Sequence, residues 1–227
     1  MLIKDLFKLE IKLILRNIRP KILLSSIFLV PNLLTSSAGE HYPILKLATF
    51  IFSTGSFFTY SQFWLAWDST YFNFLMTVPC LIKSYVEAKF WLNFIYAVMT
   101  SVILSLFFFQ IHDFFLYLMV ALLYNVGINS YLMLYSASFN VTKMNIWKSE
   151  VLFEGNNTPQ FISTSLFLGF PSLLYATFNF LFSHQTTMLI IGVLGLFSLF
   201  CYKPVIEYLV KNLTKRKKIL FESYNTQ

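Results

Sequence analysis

Apolar residues gather in long runs along this chain, and the polar stretches between them are short. Six runs stand out, near 22–37, 44–66, 90–110, 114–136, 161–181 and 187–203. Most reach the ~20 residues that a helix needs to cross about 30 Å of hydrocarbon, and the first and last are the shortest. Pro31-Asn32 interrupts the first run and Gly169-Phe170-Pro171 the fifth. Both predict a bend, because proline withholds a helical donor and crowds the preceding turn. Ahead of the runs, residues 1–21 alternate at helical spacing. Leu2, Leu6, Leu9 and Leu13 share one side, while Lys4, Lys8, Lys12 and Arg16 follow the other. That pattern predicts an amphipathic helix in the membrane interface, closed by Pro20, although it also fits a helix lying on a partner's surface. The predicted fold class is therefore all-α: a polytopic membrane protein of six transmembrane helices preceded by an amphipathic interfacial helix.

Composition sharpens this picture. The chain has 227 residues, 57% hydrophobic and only 12% charged, against roughly 25% charged in a soluble domain. The 27 Phe and 13 Tyr exceed what one globular core would use. Lipid, not water, is the expected solvent for most of the surface. Cys80 and Cys201 form no CxxC pair and no His/Cys cluster accompanies them, so neither a disulfide framework nor a zinc site is expected. The N-terminus is charged and amphipathic, unlike a cleavable signal peptide, which makes the first span the expected targeting signal.

Charge then sets an orientation. With six spans, every Lys and Arg except Lys46 falls on one side. The positive-inside rule makes that side cytoplasmic, with both termini in the cytoplasm and loops 38–43, 110–113 and 182–186 outside, in the cytoplasmic (inner) membrane. The Asn-x-Thr triplets at Asn140, Asn156 and Asn212 then lie inside and read as chance. His112-Asp113 and His184 read as polar caps of outer turns rather than metal ligands.

The stretch 67–91, WDSTYFNFLMTVPCLIKSYVEAKFW, is neither a span nor an ordinary loop. Placing Asp68, Lys83, Glu87 and Lys89 in hydrocarbon at about 2.5–3.5 kcal/mol each would cost on the order of 10 kcal/mol. The segment is expected outside the membrane. Asp68-Ser69 opens a short helix with an apolar stripe of Tyr71, Phe74, Leu75 and Val78, Pro79 stops it, and a second helix runs into the third span. The order of Leu75-Met76-Thr77-Val78-Pro79 and then Tyr85-Val86-Glu87-Ala88-Lys89-Phe90, behind a basic amphipathic helix and two spans, resembles the membrane (permease) subunit of a type-2 ABC exporter. The layout covers essentially the whole chain, and the motif covers 67–91. The resemblance implies a coupling helix near 68–80, with Tyr71, Phe74, Leu75, Val78 and Pro79 docking into a groove of a separate ABC ATPase subunit. It also implies a second permease copy or homologue, with ATP and Mg on the partner ATPase and no cofactor on this chain. Two features depart from the family pattern. Ser183-His184-Gln185 leaves little room for an outer insertion between spans five and six, and Ser69-Thr70-Tyr71 stands where glycine is usual. A second inner loop, Asn140–Gln160, is either a further docking surface or a solvated connector.

No G-x-x-x-x-G-K-[ST] occurs among the seven glycines, so this chain builds no phosphate-cradling loop. No paired carboxylates, Ser/Lys or Ser/His set, or H-E-x-x-H lies in the spans, and no enzymatic activity is expected here. The spans instead carry uncharged polar residues: Thr49, Ser53, Ser56 and Tyr60 on the second, Asn125 and Asn129 on the fourth, Tyr175 and Asn179 on the fifth. Such groups need partners in hydrocarbon, so these faces are expected to point inward, as interhelical glue or as the lining of a substrate pathway. The candidate pathway residues are Ser53, Ser56, Tyr60, Asn125, Asn129, Tyr175 and Asn179, suited to an amphipathic or lipid-like substrate rather than an ion. Gly192 and Gly195 are expected to permit close packing. The organisation read here is an interfacial helix over 1–21, a transmembrane domain over 22–203, and a basic cytoplasmic tail over 204–227 beside membrane lipids, with no nucleic-acid role. The functional expectation is a permease subunit of an ATP-driven exporter; the alternative is a non-transporting membrane scaffold or assembly factor.

Overall fold

A computed structural model of the chain describes residues 11–12, 43–55, 61–69, 79–108, 113–141 and 158–226. Among the described residues every regular element is helical. Helix α1 is Pro43–Gly55 and α2 is the single turn Trp64–Trp67. Helix α3, Pro79–Phe108, runs unbroken for 30 residues, about 45 Å at the α-helical rise. Helix α4 spans Phe114–Ala137 and contains a π-turn at Asn125–Asn129. Helices α5 (Thr158–Leu181), α6 (His184–Phe200) and α7 (Tyr202–Thr226) complete the order.

Three of these, α3, α4 and α5, contain stretches long and apolar enough to cross a membrane. They coincide with the third, fourth and fifth apolar runs. Helices α6 and α7 meet that test only together and are bent by 67° where they meet. The protein is a membrane protein with, among the described residues, three such helices, or four if the bent pair counts as one. Helix α1 has only 13 residues, about 20 Å, so it does not cover the second run by itself. The first run, 22–37, lies outside the described residues. So does the amphipathic segment 1–21, apart from Ile11 and Lys12, which are helical and exposed.

Proline punctuates these helices as its missing N–H predicts. Pro43 and Pro79 are first residues and Pro159 a second, where no intrahelical donor is lost. Pro79 thus begins a helix, and that helix carries Tyr85 and Lys89 straight into the third span.

The core lies among α1, α3, α4 and α6. Phe50 of α1 meets Phe114 edge-on at 5.4 Å and stacks on Tyr117 at 5.8 Å. At the α4–α6 crossing two glycines let backbone meet backbone. A Cβ on Gly127 would stand 2.0 Å from Gly195 O, and one on Gly195 would stand 2.6 Å from Leu123 O. Gly192 differs, because a Cβ there would meet Val120 Cγ2 at an ordinary 3.5 Å. Of the two glycines expected to permit close packing, Gly195 is the one that does. Met99, Leu106, Phe180 and Phe200 are exposed on α3, α5 and α6, as fits side chains solvated by lipid.

The basic stretch after the sixth run is one long helix rather than a loose tail. Ile206, Leu209, Leu213, Leu220 and Tyr224 of α7 are buried on the bundle. Their spacing of three, four and seven residues gives α7 one continuous apolar side, which the bundle covers.

Candidate functional site

Three polar clusters stand out, one at each end of the bundle and one between. The first joins Asp68 to the early turns of α3, at the end bearing Lys83 and Lys211. Asp68 follows the turn Trp64–Trp67, and its N–H closes that turn on Trp64 O at 3.1 Å. Its carboxylate Oδ2 accepts from Lys89 Nζ at 2.9 Å and also from the Tyr85 hydroxyl. Both ion-pair side chains are buried, Lys89 at 3% and Asp68 at 7% exposure. The Lys89 ammonium also stands 5.7 Å from the Trp64 ring and 5.2 Å from that of Tyr85, and the two rings lie 4.7 Å apart. The pair has a simple origin. Tyr85 and Lys89 are four residues apart on α3 and share a face, so one carboxylate reaches both. Reading Asp68 and Lys89 as separate solvated charges missed this, because opposite charges that pair can be buried together.

Helix α7 closes over the same end. Asn212 Nδ2 donates to Ser138 Oγ at 2.7 Å and Arg216 Nε to Ser138 O at 2.9 Å. Tyr224 OH donates to Asn140 O at 2.7 Å, and the Arg216 guanidinium lies 4.0 Å from the Phe139 ring centroid. The carbonyls of Tyr135, Ser136 and Ala137 already accept from the N–H groups of Ser138, Phe139 and Asn140, so α7 serves the two carbonyls just past the last turn, and a cation at a helix C-terminus also complements the helix dipole. Helix α7 therefore closes over the turn that follows α4. Burial, and then the Asp68 carboxylate, push the Tyr224 phenol above its ordinary pKa.

The second cluster lies mid-bundle, around the π-turn. Asn125 Nδ2 donates to Ile51 O at 2.8 Å and to Thr54 Oγ1 at 2.6 Å, and Thr54 Oγ1 donates on to Phe50 O at 2.8 Å. Asn129 Nδ2 donates to Asn125 Oδ1 at 2.7 Å and to Phe167 O at 3.3 Å. The second contact follows from Pro171, which has no N–H for the carbonyl four residues back. Asn129 supplies the donor that proline withholds. Gly55 makes the room, since a Cβ there would stand 2.8 Å from Asn125 Oδ1. A chain of amides and hydroxyls thus joins α1, α4 and α5. Asn129 Oδ1 and, on α3, Asn93 Nδ2 are buried polar atoms with no hydrogen-bond partner.

The third cluster lies at the far end. His184, first residue of α6, brings Nε2 within 3.2 Å of Tyr117 OH and Nδ1 within 2.8 Å of Tyr175 OH. A neutral imidazole has one donor and one acceptor nitrogen, so one phenol donates a hydrogen bond to it and the other accepts one from it. His184 thereby ties α4, α5 and α6 together. Its sequence position suggested only a turn cap, a role that Ser183 fills: its Oγ accepts from Thr186 N at 3.4 Å.

The sequence candidates fall out as follows. Asn125 and Asn129 meet in the central cluster. Ser53 is buried, but its hydroxyl donates to Thr49 O of its own helix at 2.7 Å. Tyr175 belongs to the far cluster, about two turns of helix from Phe167. Asn179 is exposed, in contrast to the expectation that it shares an inward face with Tyr175. It sits near the end of α5, at Leu181, where an amide reaches the polar interface. Ser56, Tyr60, Tyr71, Phe74, Leu75 and Val78 lie outside the described residues, and Pro79 is the first residue of α3. Among the described residues no group of three or more His, Cys, Asp or Glu is placed to hold a metal.

Residues 2–227 match the family of unknown function DUF5687, and the chain belongs to that family. No curated protein and no solved structure matches it.

Proposed function

We propose that this DUF5687 chain is the permease subunit of an ATP-driven, ABC-type exporter in the cytoplasmic membrane, coupled to a separate ATPase that binds ATP and Mg. The observation that carries the reading is the Asp68–Lys89 pair. It holds the two ends of the segment 69–88 together, and the second end lies on an unbroken helix that becomes a span. A docking segment transmits force only if its ends are fixed to something that moves as a unit, and this pairing supplies such a fixture. Binding of ATP by the partner would draw the Tyr71, Phe74, Leu75 and Val78 stripe, and α3 with it. The cargo best suited to the uncharged central cluster is amphipathic or lipid-like. Asn129 Oδ1 and Asn93 Nδ2 are its candidate contacts, because both are buried without partners.

A second reading, a non-transporting scaffold or assembly factor, draws on a specific observation. Most polar groups of the spans are already used, Asn125 on Ile51 O and Thr54 Oγ1, and Ser53 on its own helix. Purification in mild detergent separates the two readings. The transport reading expects an ATPase subunit with a phosphate-binding loop to co-purify, and Phe74→Ala with Leu75→Ala to release it. Truncating a buried interface anchor costs ~2 kcal/mol or more, roughly thirtyfold in affinity. Full assembly of the double variant with undiminished transport, or the absence of any ATPase from the wild-type complex, would overturn it.

A further inference from the structure

We propose that the outward face of α7 is a docking surface for anionic lipid headgroups, and that lipid bound there holds α7 against the end of α4. This rests on the membrane setting and on α7 itself, and not on the transport reading.

Helix α7 carries six basic side chains against two acidic ones. Arg216 is engaged with Ser138 and Phe139. Lys203, Lys211, Lys215 and Lys218 are exposed, and at about 100° per residue the last three fall on the side opposite Ile206, Leu209, Leu213, Leu220 and Tyr224. The exposed acids Glu207 and Glu222 offset part of this charge. Glu222 faces Lys218 at 3.9 Å with both side chains open to solvent, which leaves the lysine available. The face is therefore net positive, and Tyr208 and Ile219, both exposed, flank it.

Position selects headgroups as the occupant. Helix α7 leaves α6 at 67°, so it turns well away from the line of that helix. At its start Tyr202 packs 4.8 Å from the Phe90 ring, which in turn stacks on Tyr131 at 5.2 Å. Tyr208 then stacks on Tyr135 at 6.1 Å, Asn212 and Arg216 reach Ser138, and Tyr224 reaches Asn140. From Tyr131 to Asn140 is about 13 Å along α4, whereas Tyr202 to Tyr224 is about 33 Å along α7. Helix α7 thus descends at a shallow slant past the end of the spans, at the depth of lipid headgroups. An ordinary interfacial helix would put its apolar side into lipid. Here the bundle has taken that side, so the attraction left is electrostatic. Headgroups gathered on the outer face then favour the state in which α7 stays in place.

The test uses the full chain purified in neutral detergent and titrated with phosphatidylglycerol or phosphatidylcholine. Bound lipid is counted by native mass spectrometry, and the thermal midpoint is followed by tryptophan fluorescence. Phosphatidylglycerol should bind and raise the midpoint, and phosphatidylcholine should not. Near a surface each lysine contributes about fivefold in affinity, so Lys211→Gln, Lys215→Gln and Lys218→Gln together should weaken phosphatidylglycerol binding roughly a hundredfold and remove the midpoint rise. High salt should remove the rise from the wild type, which keeps the test decisive if the triple variant fails to fold. Equal responses to the two lipids, a rise that survives the triple substitution or high salt, or no response to phosphatidylglycerol, as for a face that serves an acidic protein, would each overturn the proposal.

Discussion

Replacing Lys89 with Met should be among the most damaging single changes at the basic end of the bundle. The substitution keeps the length of the side chain and much of its contact with the rings of Trp64 and Tyr85, and deletes only the ammonium. What remains is a carboxylate at 7% exposure that still accepts from the Tyr85 hydroxyl. Breaking a buried pair from one side costs about 3–5 kcal/mol. A hydrogen bond to a charged group contributes about 1.5–3 kcal/mol, so Tyr85 softens the loss toward the lower figure. A loss of about 3 kcal/mol lowers the folding equilibrium constant roughly a hundredfold. Asp68→Asn combined with Lys89→Met should recover most of this, because no charge is left uncompensated and Tyr85 keeps an acceptor. The measurement is unfolding in mixed micelles of rising sodium dodecyl sulfate fraction, followed by tryptophan fluorescence for the wild type, both single variants and the double. Non-additivity across that cycle isolates the pair. A Lys89→Met protein within about 0.5 kcal/mol of wild type, the range of an ordinary surface substitution, would refute the buried pair and remove the main support for the coupling reading.

Three further outcomes are expected. Gly195→Ala should destabilise by about 1–3 kcal/mol, as overpacking does, while Gly192→Ala should be neutral or slightly stabilising in the same unfolding assay; equal effects would contradict the backbone contact at the π-turn. Asn125→Leu with Asn129→Leu should lower stability by about 1–2 kcal/mol, since interhelical hydrogen bonds in membranes average about 0.6 kcal/mol and several are lost; a stable double variant that loses only transport would instead mark these amides as pathway. Cysteines placed at Ser84 and Thr142 should resist an impermeant thiol reagent in intact cells while one at Glu40 reacts, and labelling of the first two would overturn the expected orientation.

Much of the helical framework could be read from apolar runs alone, because in lipid the length of a run and the length of a helix are set by the same thickness. The runs at 90–110, 114–136 and 161–181 became α3, α4 and α5 for that reason. Inward-facing amides at Asn125 and Asn129 were legible too, since hydrocarbon offers an amide no partner. What periodicity could not supply was pairing across distance. Asp68 and Lys89 looked like two separate insertion costs until the fold brought them together. Asn129 had no visible link to Pro171, although each answers the other's deficiency. His184 sits in a short turn whose sequence asks only for a cap, and Tyr117 and Tyr175 give no local sign that they converge on it. Helix α7 read as a basic tail because charge dominates its composition, although Ile206, Leu209, Leu213 and Tyr224 already trace a side that needs cover.

The closure of α7 over the turn after α4 also has a consequence in time. Arg216 lies 78 residues after the Ser138 carbonyl it satisfies. At about 5–20 residues per second, a ribosome makes the first roughly 4–16 s before the second. For that interval the Ser138 carbonyl waits for a donor not yet made, and α5 and α6 must be inserted before α7 can turn back to it. Chains stalled or cleaved between Ser138 and Arg216 would leave the turn at the end of α4 uncovered. Quality-control proteases could tell such chains from completed ones by that end alone.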